Sequence, residues 1–346
     1  MAIRREETRR RHRNIPIVAA GILLVAAGLE GACAGSRGSV SSRLAVELEV
    51  AAATGRPDAA EAAGKALSDP AADLEVRCAA WYALGRTRTR EGALEEALES
   101  LEKVGRECAA WPRVSSEALW EVAGISERIR PGTRHRFLEQ IVRLFPDEPA
   151  AARAVRELAS FPQDAAEVPG RVALLQALYR RTEGREVAPV ILWETAELLR
   201  KQPDEGSRIE ALGLYRLLAN RHPTSGLRDD ALWAAGNLAL DLGDPRGALD
   251  CFVELRGLRE WSFLFGSYER PLYQEALKGL ARAFRKTGRP REASRALEIL
   301  ARERPGEARE LLEEAASIRE EVGDLEEAAR IRRKASESRR KDRPGR

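Results

Sequence analysis

Apolar residues along most of the chain recur at three- and four-residue steps, in short stretches separated by Gly, Pro and Asp. Leu277, Leu280, Ala281 and Phe284 show the pattern, which places one apolar stripe on an α-helix and leaves its opposite face polar. The spacing predicts amphipathic helices over residues 43–336, each with an apolar face that only a neighbouring helix can cover. Two stretches break the pattern. Residues 15–29, IPIVAAGILLVAAGL, are apolar with no polar face, and residues 337–346 carry no apolar stripe. A frayed, basic, disordered tail is expected at 337–346.

The helices are punctuated by an internal repeat. A Gly followed five residues later by an Ala occurs as Gly55 and Ala60, Gly92 and Ala97, Gly206 and Ala211, Gly243 and Ala248, Gly288 and Ala293, and Gly323 and Ala328. From alanine to alanine the steps are 37, 114, 37, 45 and 35 residues, and the long step has room for two more units, so about eight are implied. LGDPRGALDCF, residues 242–252, displays the physics. Gly243 can take the left-handed conformation that ends a helix, Asp244 can cap the next one, and Pro245 suits a first helical turn whose amide has no partner to lose. The small Ala five positions after the glycine lets two helices approach closely.

Composition points the same way. Ala, Leu, Arg and Glu, all strong helix formers, dominate a chain of 346 residues that is 44% hydrophobic and only 5% aromatic. That length is generous for one compact core, a limit that a repeat array escapes because each unit touches only its neighbours.

These features resemble the tetratricopeptide repeat family, a helix, a tight turn and a second helix per unit. Trp81, Leu84, Gly85, Gly92, Ala97 and Leu101 stand at the family's offsets in WYALGRTRTREGALEEALESL. Leu232, Ala235, Gly236, Gly243, Ala248 and Phe252 do so again. Weak matching is confined to about 147–190. The resemblance implies an all-α solenoid of about eight helical hairpins that binds proteins and carries out no chemistry. HPTSGLRDDALW, residues 222–233, is similar in style to bacterial cell-envelope repeat lipoproteins, including the outer-membrane assembly and Tol-Pal associated groups.

The N-terminus agrees with an envelope address. RREETRRRHR precedes the apolar run, whose fifteen residues match a signal peptide and fall short of a spanning helix. LEGAC resembles the lipobox at which bacterial lipoproteins are cut and lipidated, with Cys33 as the acceptor, although Leu29 stands one place early and Glu30 occupies the usual leucine position. Ala32, Cys33 and Ala34 also fit ordinary signal cleavage, and an uncleaved anchor is a third reading. The expected layout is a signal peptide at 1–33, a linker at 34–42, the repeat array at 43–336 and the tail, in a periplasmic protein held to the outer membrane by its N-terminal lipid.

Charge excludes one class of partner. The net +3 gathers at the ends: residues 1–33 hold six Arg against three Glu, and residues 332–346 hold eight Lys or Arg against Glu337 and Asp342. The body between is net negative, which is no footprint for nucleic acid.

Candidate chemistry is sparse. The only histidines are His12, His135 and His222, and neither of the latter two has a partner at metal or triad spacing. The common hydrolase, zinc-protease and nucleotide-binding motifs are absent, so no catalytic residue, metal, cofactor or small-molecule substrate is expected. Cys78 and Cys108 would lie at nearby ends of one antiparallel hairpin and could form a disulfide in an oxidising compartment, or could simply pack as small apolar groups; Cys251 is read as packing. Binding residues are sought in RGLREWSFLFGSYERPLYQ, residues 256–274, which lengthens one repeat step and holds Trp261, Phe263, Phe265, Tyr268 and Tyr273. Aromatic side chains anchor interfaces, and they also fill gaps in an elongated hairpin. The expected partners are proteins of the cell envelope. A helical peptidoglycan-binding superstructure related to cell-wall lytic enzymes, and a membrane-anchored adaptor, are the alternatives.

Overall fold

The computed structural model describes residues 40–160, 167–258, 261–262, 266–267 and 271–341. The expected signal peptide, most of the linker, Cys33, Phe263, Phe265, Tyr268 and the last residues of the tail lie outside them. Among the described residues are sixteen α-helices: α1 (Val40–Thr54), α2 (Ala59–Ser68), α3 (Leu74–Glu91), α4 (Leu94–Glu107), α5 (Pro112–Ile129), α6 (Arg134–Leu144), α7 (Pro149–Ser160), α8 (Val168–Thr182), α9 (Ala188–Arg200), α10 (Glu205–Arg221), α11 (Arg228–Asp241), α12 (Pro245–Gly257), α13 (Pro271–Lys286), α14 (Pro290–Glu303), α15 (Ala308–Glu321) and α16 (Leu325–Lys341). The fold is an all-α solenoid of tetratricopeptide-like helical hairpins, with the helix count of eight pairs. The last helix continues to Lys341, past the residue-336 boundary expected for the array.

The chain forms two compact units, residues 1–93 and 94–346. In the first, α1 and α2 both pack on α3 around Leu48, Val76 and a set of alanines including Ala52, Ala63 and Ala80. Asp73 caps α3 by accepting from the amide of Val76 at 3.0 Å. The carbonyl of Ala52 near the end of α1 accepts from Arg90 Nη2 at 2.7 Å, a guanidinium placed where the helix dipole favours positive charge.

In the second unit each helix packs on the next, and one apolar core runs from Ala123 to Ala335. The corner between α11 and α12 is built as its sequence implies. Gly243 is left-handed at φ +78°, the Asp244 amide donates back to the Ala239 carbonyl at 2.8 Å, and the Asp244 carboxylate accepts from the Gly247 amide at 2.9 Å. The same backward bond follows Gly55, Gly92, Gly288 and Gly323.

Gly206 departs from the expectation. It sits inside the first turn of α10 with no positive φ, after a corner capped by Asp204. In its place Gly132, between α5 and α6, is left-handed, and both its amide and that of Arg134 donate to the Glu127 carboxylate at 2.8 and 3.0 Å. Those two bonds hold the Glu127 carboxyl below its ordinary value. The alanines that follow the signature glycines by five are buried except Ala60, where the neighbouring Ala59 takes the buried position. In the lengthened step, β1 (Trp261–Ser262) and β2 (Gly266–Ser267) pair antiparallel, with Trp261 opposite Ser267 and Ser262 opposite Gly266.

Candidate partner-binding surface

Between α9 and α11 the surface of the second unit opens into a groove of about 710 Å³. Trp193, Glu194 and Glu197 line its α9 wall, and Trp233, Asn237 and Asp241 its α11 wall. Each set is spaced so that one helix face projects it. Trp233 is 36% exposed, a large apolar side chain open to solvent at the centre of the α11 wall.

Both walls are held from behind. Trp193 lies against Tyr215 of α10, with ring centroids 5.4 Å apart. The Tyr215 hydroxyl donates to Glu197, and Arg200 adds two bonds to the same carboxylate at 3.1 and 2.8 Å. Burial pushes the Glu197 carboxyl upward, but the bonds from Arg200 and Tyr215 outweigh it and hold the group below its ordinary value. Burial, then the Glu197 carboxylate, push the Tyr215 phenol above its normal range. On α11, Asn237 donates to the Trp233 carbonyl at 2.9 Å and accepts from Arg282 of α13 at 2.7 Å.

Glu194 is different. It makes no hydrogen bond or ion pair among the described residues, and burial raises its carboxyl, with Arg156 opposing and Glu197 reinforcing the shift. The groove therefore has two indole side chains, a Glu197 and Arg200 pair backed by the buried Tyr215, and one partly desolvated carboxylate. It can cradle an extended chain or an aromatic or cationic side chain. No nucleophile and base stand together in it.

The residues singled out from the sequence are distributed otherwise. Tyr273 is 5% exposed and belongs to the packing of α13: its hydroxyl donates to Asp229 at 3.0 Å, and its carbonyl accepts from Arg256 at 3.1 Å. Trp261 is described only through its backbone pairing. Cys78 and Cys108 are each fully buried, in different units, and burial raises the thiol of buried Cys251. His222 packs near the edge of Tyr179, with its imidazole pushed toward the neutral form by burial. Among the described residues no group of three or more His, Cys, Asp or Glu is arranged to hold a metal, and no helix is long and apolar enough to cross a membrane. The sequence signal for Trp193 and Trp233 was the recurrence of tryptophan in first helices, at Trp81, Trp120, Trp193 and Trp233, which the aromatic density of 256–274 overshadowed.

No protein-family model matches the chain, and no curated protein matches it. Among solved structures, the chain is similar to a putative kinesin light chain of Podosopora anserina with nearly identical tetratricopeptide-like repeats, at 17% identity and a TM-score of 0.33, covering 65% of this chain and 93% of that one. It is also similar to a Rap protein complexed with competence and sporulation factor, at 11% identity and a TM-score of 0.34, covering 93% of this chain and 92% of the other.

Proposed function

We propose that this protein is a non-catalytic scaffold that holds an extended segment of a partner protein in the groove between α9 and α11. The observation that carries the reading is the pair of indoles, Trp193 and the exposed Trp233, on facing walls whose positions are fixed by Tyr215, Glu197 and Asn237. Aromatic anchors set in a rigid groove lose little conformational freedom on binding. A photoreactive amino acid at position 233, followed by mass spectrometry of crosslinked native envelopes, is expected to capture one or a few proteins, with capture reduced about tenfold by Trp193→Ala. Crosslinking to glycan strands instead, or capture indifferent to Trp193→Ala, overturns it.

The place of action belongs to the same proposal. The basic segment, the apolar run and LEGAC support export and lipidation at Cys33, giving a periplasmic protein anchored to the outer membrane. Labelling with an alkyne fatty acid is expected to mark the protein and to fail in Cys33→Ser; an unlabelled, unprocessed wild-type chain refutes it. An oxidising compartment would also let Cys78 and Cys108 pair, closing about a 30-residue loop worth about 3 to 4 kcal/mol. Alkylation of a Cys33→Ser/Cys251→Ser variant under denaturing, non-reducing conditions, followed by intact mass, reads that directly: a pair leaves the mass without added alkyl groups, and two added alkyl groups exclude it.

A further inference from the structure

A second groove lies in a different place, among α4, α5 and α6. Two adjoining hollows of about 410 and 470 Å³ share Leu98, Ser126, Phe137 and Gln140 and run as one channel between α4 and α6 over the back of α5. Its wall on α4 is the stripe Leu98, Leu101, Glu102 and Gly105; its floor on α5 holds Leu119 and Val122; and its wall on α6 carries Phe137 and Leu144. Leu144 is 65% exposed and Ile129, at one end, is 46% exposed.

This channel differs from three other steps along the row of even-numbered helices. Arg256 of α12 meets Glu303 of α14 at 2.9 Å, Arg330 and Lys334 of α16 both reach Glu298 of α14 at 3.1 Å, and Gln176 of α8 donates to Glu210 of α10 at 2.7 Å. Side chains thus span those steps. Among the described residues no hydrogen bond or ion pair links α4 to α6, so the apolar floor between them stays open. Three exposed guanidiniums, Arg106, Arg130 and Arg136, line the channel, and none has an ion pair among the described residues; Glu102 is the one carboxylate in the lining.

We infer that this channel docks an amphipathic helix of a partner protein, its leucine-type stripe on Leu98, Leu119, Phe137 and Leu144 and its acidic flank against Arg106, Arg130 and Arg136. The eleven residues of α6 span about 16 Å, which matches two to three turns and anchors at i, i+3 or i+4, and i+7. The concave apolar floor suits a convex helix, whereas a bilayer surface needs a protruding apolar face. This docking is independent of the groove between α9 and α11.

The test uses the full chain and a fluorescein-labelled helical peptide with Leu at i, i+3, i+4 and i+7 and Glu on both flanks, beside the same peptide with Lys for Glu. Fluorescence anisotropy is expected to show the acidic peptide binding at least about tenfold more tightly than the basic one, a preference lost in Arg130→Glu/Arg136→Glu. Gly105→Trp is the steric control, because a Cβ there meets nothing within 4 Å and the indole would fill the channel without entering the core. It is expected to weaken the acidic peptide about tenfold while the circular dichroism spectrum is unchanged, and Trp233→Ala is expected to leave that affinity intact. Equal binding of the two peptides, no binding of the acidic one, or affinity indifferent to Gly105→Trp overturns the proposal. So does a second copy of the chain occupying the channel, seen as a dimer that Gly105→Trp dissociates, or vesicles of anionic lipid bound through the same arginines.

Discussion

The Phe252 ring is held tightly between two helices of the second unit. It is fully buried, and a Cβ added at Gly236 of α11 or Gly279 of α13 would lie 2.6 or 2.5 Å from its ring atoms. Those distances are far inside van der Waals contact, and two helix backbones hold the ring from either side, so it cannot swing away cheaply. Gly236→Ala is therefore expected to destabilise the protein by about 1 to 3 kcal/mol despite the better helix propensity of alanine. Gly213, also within a helix but with open space around it, is the opposite case: Gly213→Ala is expected to stabilise by about 0.5 to 1 kcal/mol. Urea unfolding followed by circular dichroism checks both signs, and adding Phe252→Leu to Gly236→Ala should restore part of the loss, since a narrower side chain leaves room for the new methyl. An additive double variant would mean that the ring is not what the glycine accommodates.

At the scale of elements, the corners between helices carry the fold. At the α11 to α12 corner three devices act together: the left-handed Gly243, the backward bond from the Asp244 amide to Ala239, and the Asp244 carboxylate on the Gly247 amide. Asp244→Ala leaves that amide without its acceptor and is expected to cost about 1 kcal/mol, whereas Asp244→Asn keeps an acceptor oxygen and should retain most of the stability. The thermal midpoints of the two variants separate capping from charge; equal losses would assign the effect to the Arg216 contact instead. These corners were legible in the sequence wherever Gly and the close-packing Ala kept their five-residue spacing. The α5 to α6 corner hid from that search because the fifth residue after Gly132 is Phe137, part of an open channel rather than a tight helix crossing. Gly206 misled it because the α9 to α10 corner turns without a left-handed glycine and is capped by Asp204. The grooves were less legible for the same kind of reason: each is assembled from residues about forty positions apart, such as Trp193 and Trp233, whose facing is set by helix packing and not by local pattern.

Across the second unit as a whole, cohesion passes from one helix pair to the next, so the consequences of a local change should stay local. Glu298 tests this. Its side chain is 14% exposed, lies on α14, and accepts from Arg330 and Lys334 of α16, joining the last hairpin to the one before it. Glu298→Gln removes the charge and leaves the two cations facing each other with only Glu327 still bonded to Arg330. Breaking a partly buried charge cluster costs more than losing an exposed pair, and the cost should fall on α15 and α16, where Leu311, Ile318 and Ile331 supply the apolar contacts that remain. Native-state hydrogen exchange is expected to show faster exchange in α15 and α16 with protection in α9 to α11 unchanged, because no contact of Glu298 reaches that far. Uniform loss of protection through α4 to α16 would mean that the unit unfolds as one cooperative body, and that the partner groove between α9 and α11 is coupled to the C-terminal hairpin after all.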